Sequence, residues 1–165
     1  MLFVIALIGL ISSMAIPSLM RARSAAQSAS ALGSIRTINS AELSYAITCG
    51  LGFYSPDLPT LGVAPPGAPD AFLSTDMASG FTFIKSGYNF SLAGTPLPSA
   101  PATCNGLAAG MAAPGYAVVA DPLDPTANAS QFFGSNSDGV IYKHSLTLSL
   151  TMPESSSPPA GMPIQ

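Results

Sequence analysis

Charge is what this sequence has least of. Five basic and eight acidic side chains serve 165 residues, with one histidine, two cysteines and no tryptophan. So little charge is uncommon in a globular chain that must stay dissolved by itself. The basic residues are also unevenly placed. Arg21, Arg23 and Arg36 fall in the first quarter, and beyond them Lys85 and Lys143 stand against all eight acids. Neutralising phosphates takes a basic patch, so nucleic acid is excluded as the main partner. Catalytic groups are equally sparse. His144, beside Lys143 at the end of a strand-like run, reads as a solvated or packing residue. No HExxH, GxSxG, P-loop or GxGxxG motif occurs, so the chain reads as a non-enzyme with no cofactor.

The two cysteines are Cys49 and Cys104. In an exported chain an even count reads as a disulfide, and closing that loop stabilises by about 4 kcal/mol in the chain-entropy model. The alternative is a pair of buried thiols. Sixteen prolines and fifteen glycines, mostly after residue 50, make the second part loop-rich.

What is abundant is apolar surface at the start. Met1–Met20 carries no charged side chain, and as a helix it reaches roughly 30 Å, the thickness of a bilayer core. A secretory signal needs a basic start and a small-residue cleavage site. Here the basic start is missing and Ser13-Met14-Ala15 is a poor cleavage signal, so the segment is expected to stay on. Helical character continues past Arg23. Residues 24–47 contain no proline and one glycine, Gly33. Ala25, Ala29, Leu32, Ile35, Leu43 and Ala46 fall on one face, interrupted by Asn39, with Ile38 and Tyr45 roughly opposite and Glu42 at the boundary. One long helix is therefore expected, stopping at Cys49-Gly50-Leu51-Gly52, where glycine allows a left-handed residue. Pro17 lies inside it and is expected to kink or locally melt it.

Ile5-Ala6-Leu7-Ile8-Gly9-Leu10-Ile11 followed by Ala15-Ile16-Pro17-Ser18-Leu19 resembles the N-terminal helix of type IV pilins and type II secretion pseudopilins. The stretch from Ala31 to Glu42, ALGSIRTINSAE, with Tyr45 after it, is similar to a subgroup of type IVa-like pilins. The likeness covers residues 1–62 and is architectural beyond. Aligned on Gly9 and Pro17, it implies that a short mature stretch precedes Met1, beginning with a methylated phenylalanine and ending in a glutamate. It further implies an inner-membrane subunit that leaves the bilayer, with the pilus assembly machinery, to join copies of itself in an extracellular helical filament, or fimbrium. Val4, Leu7, Ile8, Ile11 and Pro17 would then pack the filament core, and Leu32, Ile35 and Leu43 the helix interface.

In the second part, Phe81, Phe83, Tyr88, Phe90 and Leu92 alternate with small or polar residues around Ser86-Gly87, a hairpin pattern. Tyr116–Ala120 reads as a third strand. Gln131–Phe133 and Val140–Tyr142, joined through Ser135–Gly139, read as a second hairpin. Ser145–Met152 alternates cleanly and is expected to be a strand with one buried face. From Pro153 the Pro/Ser-rich tail is expected to be flexible. The whole is α+β and pilin-like, a long N-terminal helix whose C-terminal half packs on an antiparallel sheet head. Its parts are an apolar transmembrane or assembly segment (1–23), an amphipathic segment (24–50), the head (51–152) and the tail (153–165).

Weaker signals stand beside this. Asp121-Pro122-Leu123-Asp124 offers two carboxylates, short of the six or more oxygens calcium takes. Ser155, Ser156 and Ser157 precede a proline and are candidate O-glycan acceptors. The expected function is a structural subunit of a type IV pilus, serving adhesion, twitching motility or DNA uptake. The alternatives are a pseudopilin of a secretion system and a signal-anchored periplasmic binding module.

Overall fold

The computed structural model describes residues 2–125 and 131–164, with side chains from Ser18 onward within those ranges. Helix α1 runs from Leu2 to Thr48, a length of roughly 70 Å. Pro17 lies inside it without ending it, so the expected local melting does not occur. The stop lies where it was expected. Gly50 supplies space, since a Cβ there would collide with the Phe53 carbonyl, and the left-handed residues are Leu51 (φ 52°) and Gly52 (φ 93°).

The chain then turns through a short helix α2, Leu58–Leu61, not foreseen from the sequence. Asp57 caps it by accepting from the Thr60 N–H at 2.9 Å, and Pro59 starts it without losing a needed donor. Its two leucines are fully buried against α1 and the sheet.

The head is a six-stranded antiparallel meander whose spatial order is its chain order: β1 Thr82–Lys85, β2 Tyr88–Ala93, β3 Ala117–Pro122, β4 Phe132–Asn136, β5 Ile141–His144 and β6 Met162–Ile164. Ser86 (φ 51°) and Gly87 (φ 82°) form the two-residue turn between β1 and β2, a geometry that matches strand twist and suits glycine. Phe83 sits opposite Phe90 with the rings stacked at 4.7 Å. Tyr88, Phe90, Leu92, Val118, Ala120, Phe133 and Ile141 point to the helix side, as a period of two requires.

On α1 the inward face is Ala31, Ser34, Ile35, Ile38, Ala41, Glu42, Tyr45, Ala46 and Cys49. The two faces read from the sequence are not kept apart, since Ile35 and Ala46 of one are buried together with Ile38 and Tyr45 of the other. Ile38, Glu42 and Tyr45 lie at the centre of the buried face, whereas Ala25, Ala29 and Leu43 are exposed. Tyr45 decides the rotation, because its ring packs edge-on to Phe72 at 5.4 Å inside the core and cannot be turned out cheaply.

Two further expectations are overturned. Ser145–Met152 is not a strand, because β6 takes the place beside β5 that it would have filled. Instead the Met152 N–H donates to the Leu148 carbonyl at 2.8 Å, and that turn drops Leu148 and Met152 onto the sheet face opposite α1, against Val119 and Tyr142. Leu146 and Leu150 face solvent. The tail is likewise ordered. Buried Asn136 donates to the carbonyls of Pro153 and Ser156, and Glu154 accepts from the Thr95 N–H at 2.7 Å.

Gly134 explains how this second layer fits. It lies between Val119 and Tyr142 in the sheet, and a Cβ there would stand 3.0 Å from the Met152 sulfur and 3.2 Å from a Leu148 methyl. Gly134→Val should therefore destabilise by about 1–3 kcal/mol through overpacking. Urea denaturation of the variant checks this, and unchanged stability would mean that the 145–153 turn is not packed as described.

Candidate functional site

Among the described residues, the head meets α1 at Gln27 and beyond. There the β1–β2 turn docks on the helix: a Cβ at Gly87 would meet the Gln27 side chain, Ser30 and Ser86 share a hydroxyl hydrogen bond at 2.8 Å, and Ser28 bonds the Tyr88 hydroxyl at 3.1 Å. Below that contact, among the described residues, Leu19–Ala26 is largely uncovered. Every residue of it except Ser24 is exposed, including Leu19 and Met20 at about 70 %. Among the described residues, neither Arg21 nor Arg23 has an ion pair.

The side of α1 facing away from the sheet carries apolar residues at both ends, with exposed Arg36 and Ser40 between them. Ala25, Ala29, Leu43 and Ile47 share it at helical spacing and all are exposed, Ile47 at 74 %. Of the three residues assigned to the helix interface, Ile35 is buried in the head's own core and Leu32 is half-buried against it. Leu43 alone faces out.

Leu43 borders a groove of about 260 Å³ lined by Asn39, Ser40 and Leu43 of α1, by Tyr54 and Tyr116, and by the β4–β5 turn Ser137–Gly139. Its floor is braced by polar contacts. Asn39 donates to the Ser135 hydroxyl at 2.8 Å and accepts from the Tyr116 hydroxyl at 3.1 Å. The Tyr54 and Tyr116 rings meet edge-on at 5.1 Å. Asp138, exposed at the rim, accepts from the Ser156 N–H at 2.8 Å and has no ion pair among the described residues.

One polar group inside the head is unusual. Glu42 is fully buried, its Oε2 accepts from the Ser55 N–H at 2.9 Å, and its Oε1 has no hydrogen-bond partner. Burial pushes its carboxyl well above the usual range, partly offset by the Ser55 bond. Burial likewise raises the phenols of Tyr45 and Tyr116. The sequence hinted at this only through an acid in an otherwise apolar helical stripe.

The structure joins Cys49 to Cys104 in a disulfide. It does not bring the other weak signals together into a site. The Asp121 carboxylate takes the Thr147 hydroxyl, at 2.9 and 2.8 Å to its two oxygens, and burial raises its pKa. Among the described residues no group of three or more His, Cys, Asp or Glu side chains could hold a metal ion. His144 closes a local turn, accepting from the Leu146 N–H at 3.1 Å. Ser155, Ser156 and Ser157 are all exposed. The side chains of Val4, Leu7, Ile8, Ile11 and Pro17 are not among those described, and neither are most of the others in the proposed span over 1–23. Among the described residues no helix is long and apolar enough to cross a membrane.

No protein-family model matches the chain, and no curated protein or solved structure shows significant similarity to it.

Proposed function

We propose that this chain is a structural subunit of a type IV pilus, polymerising through α1 into an extracellular filament. The observation that carries the reading is the uncovered length of that helix. A helix without tertiary packing is only marginally stable in water, and most helices owe their stability to a covered apolar face. Among the described residues, Leu19–Ala26 and the outward Ala25, Ala29, Leu43 and Ile47 are left largely exposed by their own chain. Copies of the same helix supply cover in a filament, and lipid supplies it to the apolar N-terminal part beforehand. Exchanging lipid for helix contacts is nearly neutral for apolar side chains, so packing decides assembly and a motor can reverse it. The sheet then serves as a rigid outer head, and no residue performs catalysis.

The test is direct. Filaments sheared from the cells that make this chain should contain it, and a chain found only in the inner membrane would sink the reading. Leu7→Ala with Ile11→Ala keeps the segment apolar but removes packing volume. It should cut filament yield while leaving membrane levels unchanged, and an unaltered yield would count against assembly through α1.

A further inference from the structure

We propose that the groove beside Leu43 receives the helix segment 18–26 of a second copy of this chain, with Arg23 of one copy meeting Asp138 of the next. The inference rests on the filament reading and names one contact within it.

Size argues against a small ligand. Pockets that enclose drug-sized molecules run from ~300 Å³ upward, and this groove, at about 260 Å³ and open along one side of α1, suits one or two protruding side chains. Its chemistry is divided. Leu43 and the two tyrosine rings offer apolar surface, and Asp138 at the rim offers a charge without an ion pair among the described residues. A complement lies on the uncovered stretch of α1. Leu19, Met20 and Arg23 are related by three and four residues, so they share a face. All three are exposed, and no acidic side chain lies between Ser18 and Ala41 to satisfy the arginine.

The chain cannot fill its own groove. In a continuous helix the centre of segment 18–26 lies roughly 30 Å along the axis from Leu43. Donor and acceptor are therefore different surfaces of one chain, a heterologous pairing that propagates instead of closing into a dimer. It also sets an axial offset of roughly 30 Å between the copies that touch.

Charge exchange in the full chain, expressed in its own cells, tests this. Asp138→Arg and Arg23→Asp should each lower sheared-filament yield about tenfold or more, because each places like charges together at the contact. The double variant should restore it. Rescue separates the contact from a folding defect, since loosening the Ser156 bond by Asp138→Arg would not be repaired by a change at Arg23. A photo-crosslinking residue at position 43 should join two copies, with the adduct mapping to residues 18–26. Single variants with wild-type yield, a double variant without rescue, or adducts elsewhere would overturn the groove contact and leave the filament reading intact. An unaltered chain that forms no filaments would overturn both.

Discussion

Replacing Cys49 and Cys104 together by serine should lower the unfolding free energy of the chain by about 4 kcal/mol. The magnitude follows from the 55-residue separation of the two cysteines, because a crosslink that closes a loop of this size removes much freedom from the unfolded chain. The native side of the balance supports a large effect. The bond ties the end of α1 to the segment between β2 and β3, which has no strand of its own and little large apolar burial. Around it the Asn105 amide donates to the Thr60 carbonyl at 2.8 Å, and the Cys104 N–H donates to the Cys49 carbonyl at 3.2 Å. These bonds position the loop but contribute only about 1 kcal/mol each. Chemical denaturation of detergent-solubilised chain, with and without reductant and against the double serine variant, measures the difference. A loss below about 1 kcal/mol would show that the loop is held without the crosslink.

A change at Glu42 should reshape the dependence of stability on pH. Its folded-state pKa is raised by burial, while the unfolded value is about 4.3. Between the two the folded chain keeps the proton and the unfolded chain has released it. Stability contributed by this group is therefore full below the unfolded pKa and falls as pH rises, by up to about 1.4 kcal/mol per pH unit, until the folded pKa is passed. Glu42→Gln keeps the shape and can still accept from the Ser55 N–H, but it has no proton to lose. The variant should gain on the wild type as pH rises above about 5, until the folded-state pKa of Glu42 is passed. Asp121, also raised by burial, tilts both curves in the same sense and cancels in the comparison. Parallel curves would mean that Glu42 is ionised in the fold. The coupling bears on the groove because Glu42 holds the start of the loop after α1, next to Tyr54 on the groove wall.

How legible all this was in the sequence differs by element. The β1–β2 hairpin could be read because alternation and a Ser-Gly turn are local: Phe83, Tyr88, Phe90 and Leu92 are buried as a period of two demands. Ser145–Met152 shows the same alternation and misled. Its fate depended on which segment reached the β5 edge, and a strand from beyond the serine-rich stretch took it. The groove was invisible in the sequence, since it draws on α1, on Tyr54 and Tyr116, and on the β4–β5 turn. Only Leu43 among its walls had been singled out, as part of a helix interface.

By itself the sequence determined one long helix with apolar residues on more than one side, an antiparallel head after it, and a single possible disulfide. Those properties follow from periodicity, turn chemistry and the presence of only two cysteines, all of which act without reference to distant residues. Which side of the helix turned inward was decided by the tertiary structure. The outward side mixes Ala25, Ala29, Leu43 and Ile47 with Arg36 and Ser40, and the inward side mixes its apolar residues with Ser34 and Glu42, so polarity alone does not choose between them. The choice fell to Tyr45, Ile38 and Glu42, because the head offered Phe72, the inward strand residues and the Ser55 amide to meet them. Leu43 and Ile47 were thereby left facing outward, with the groove at their side.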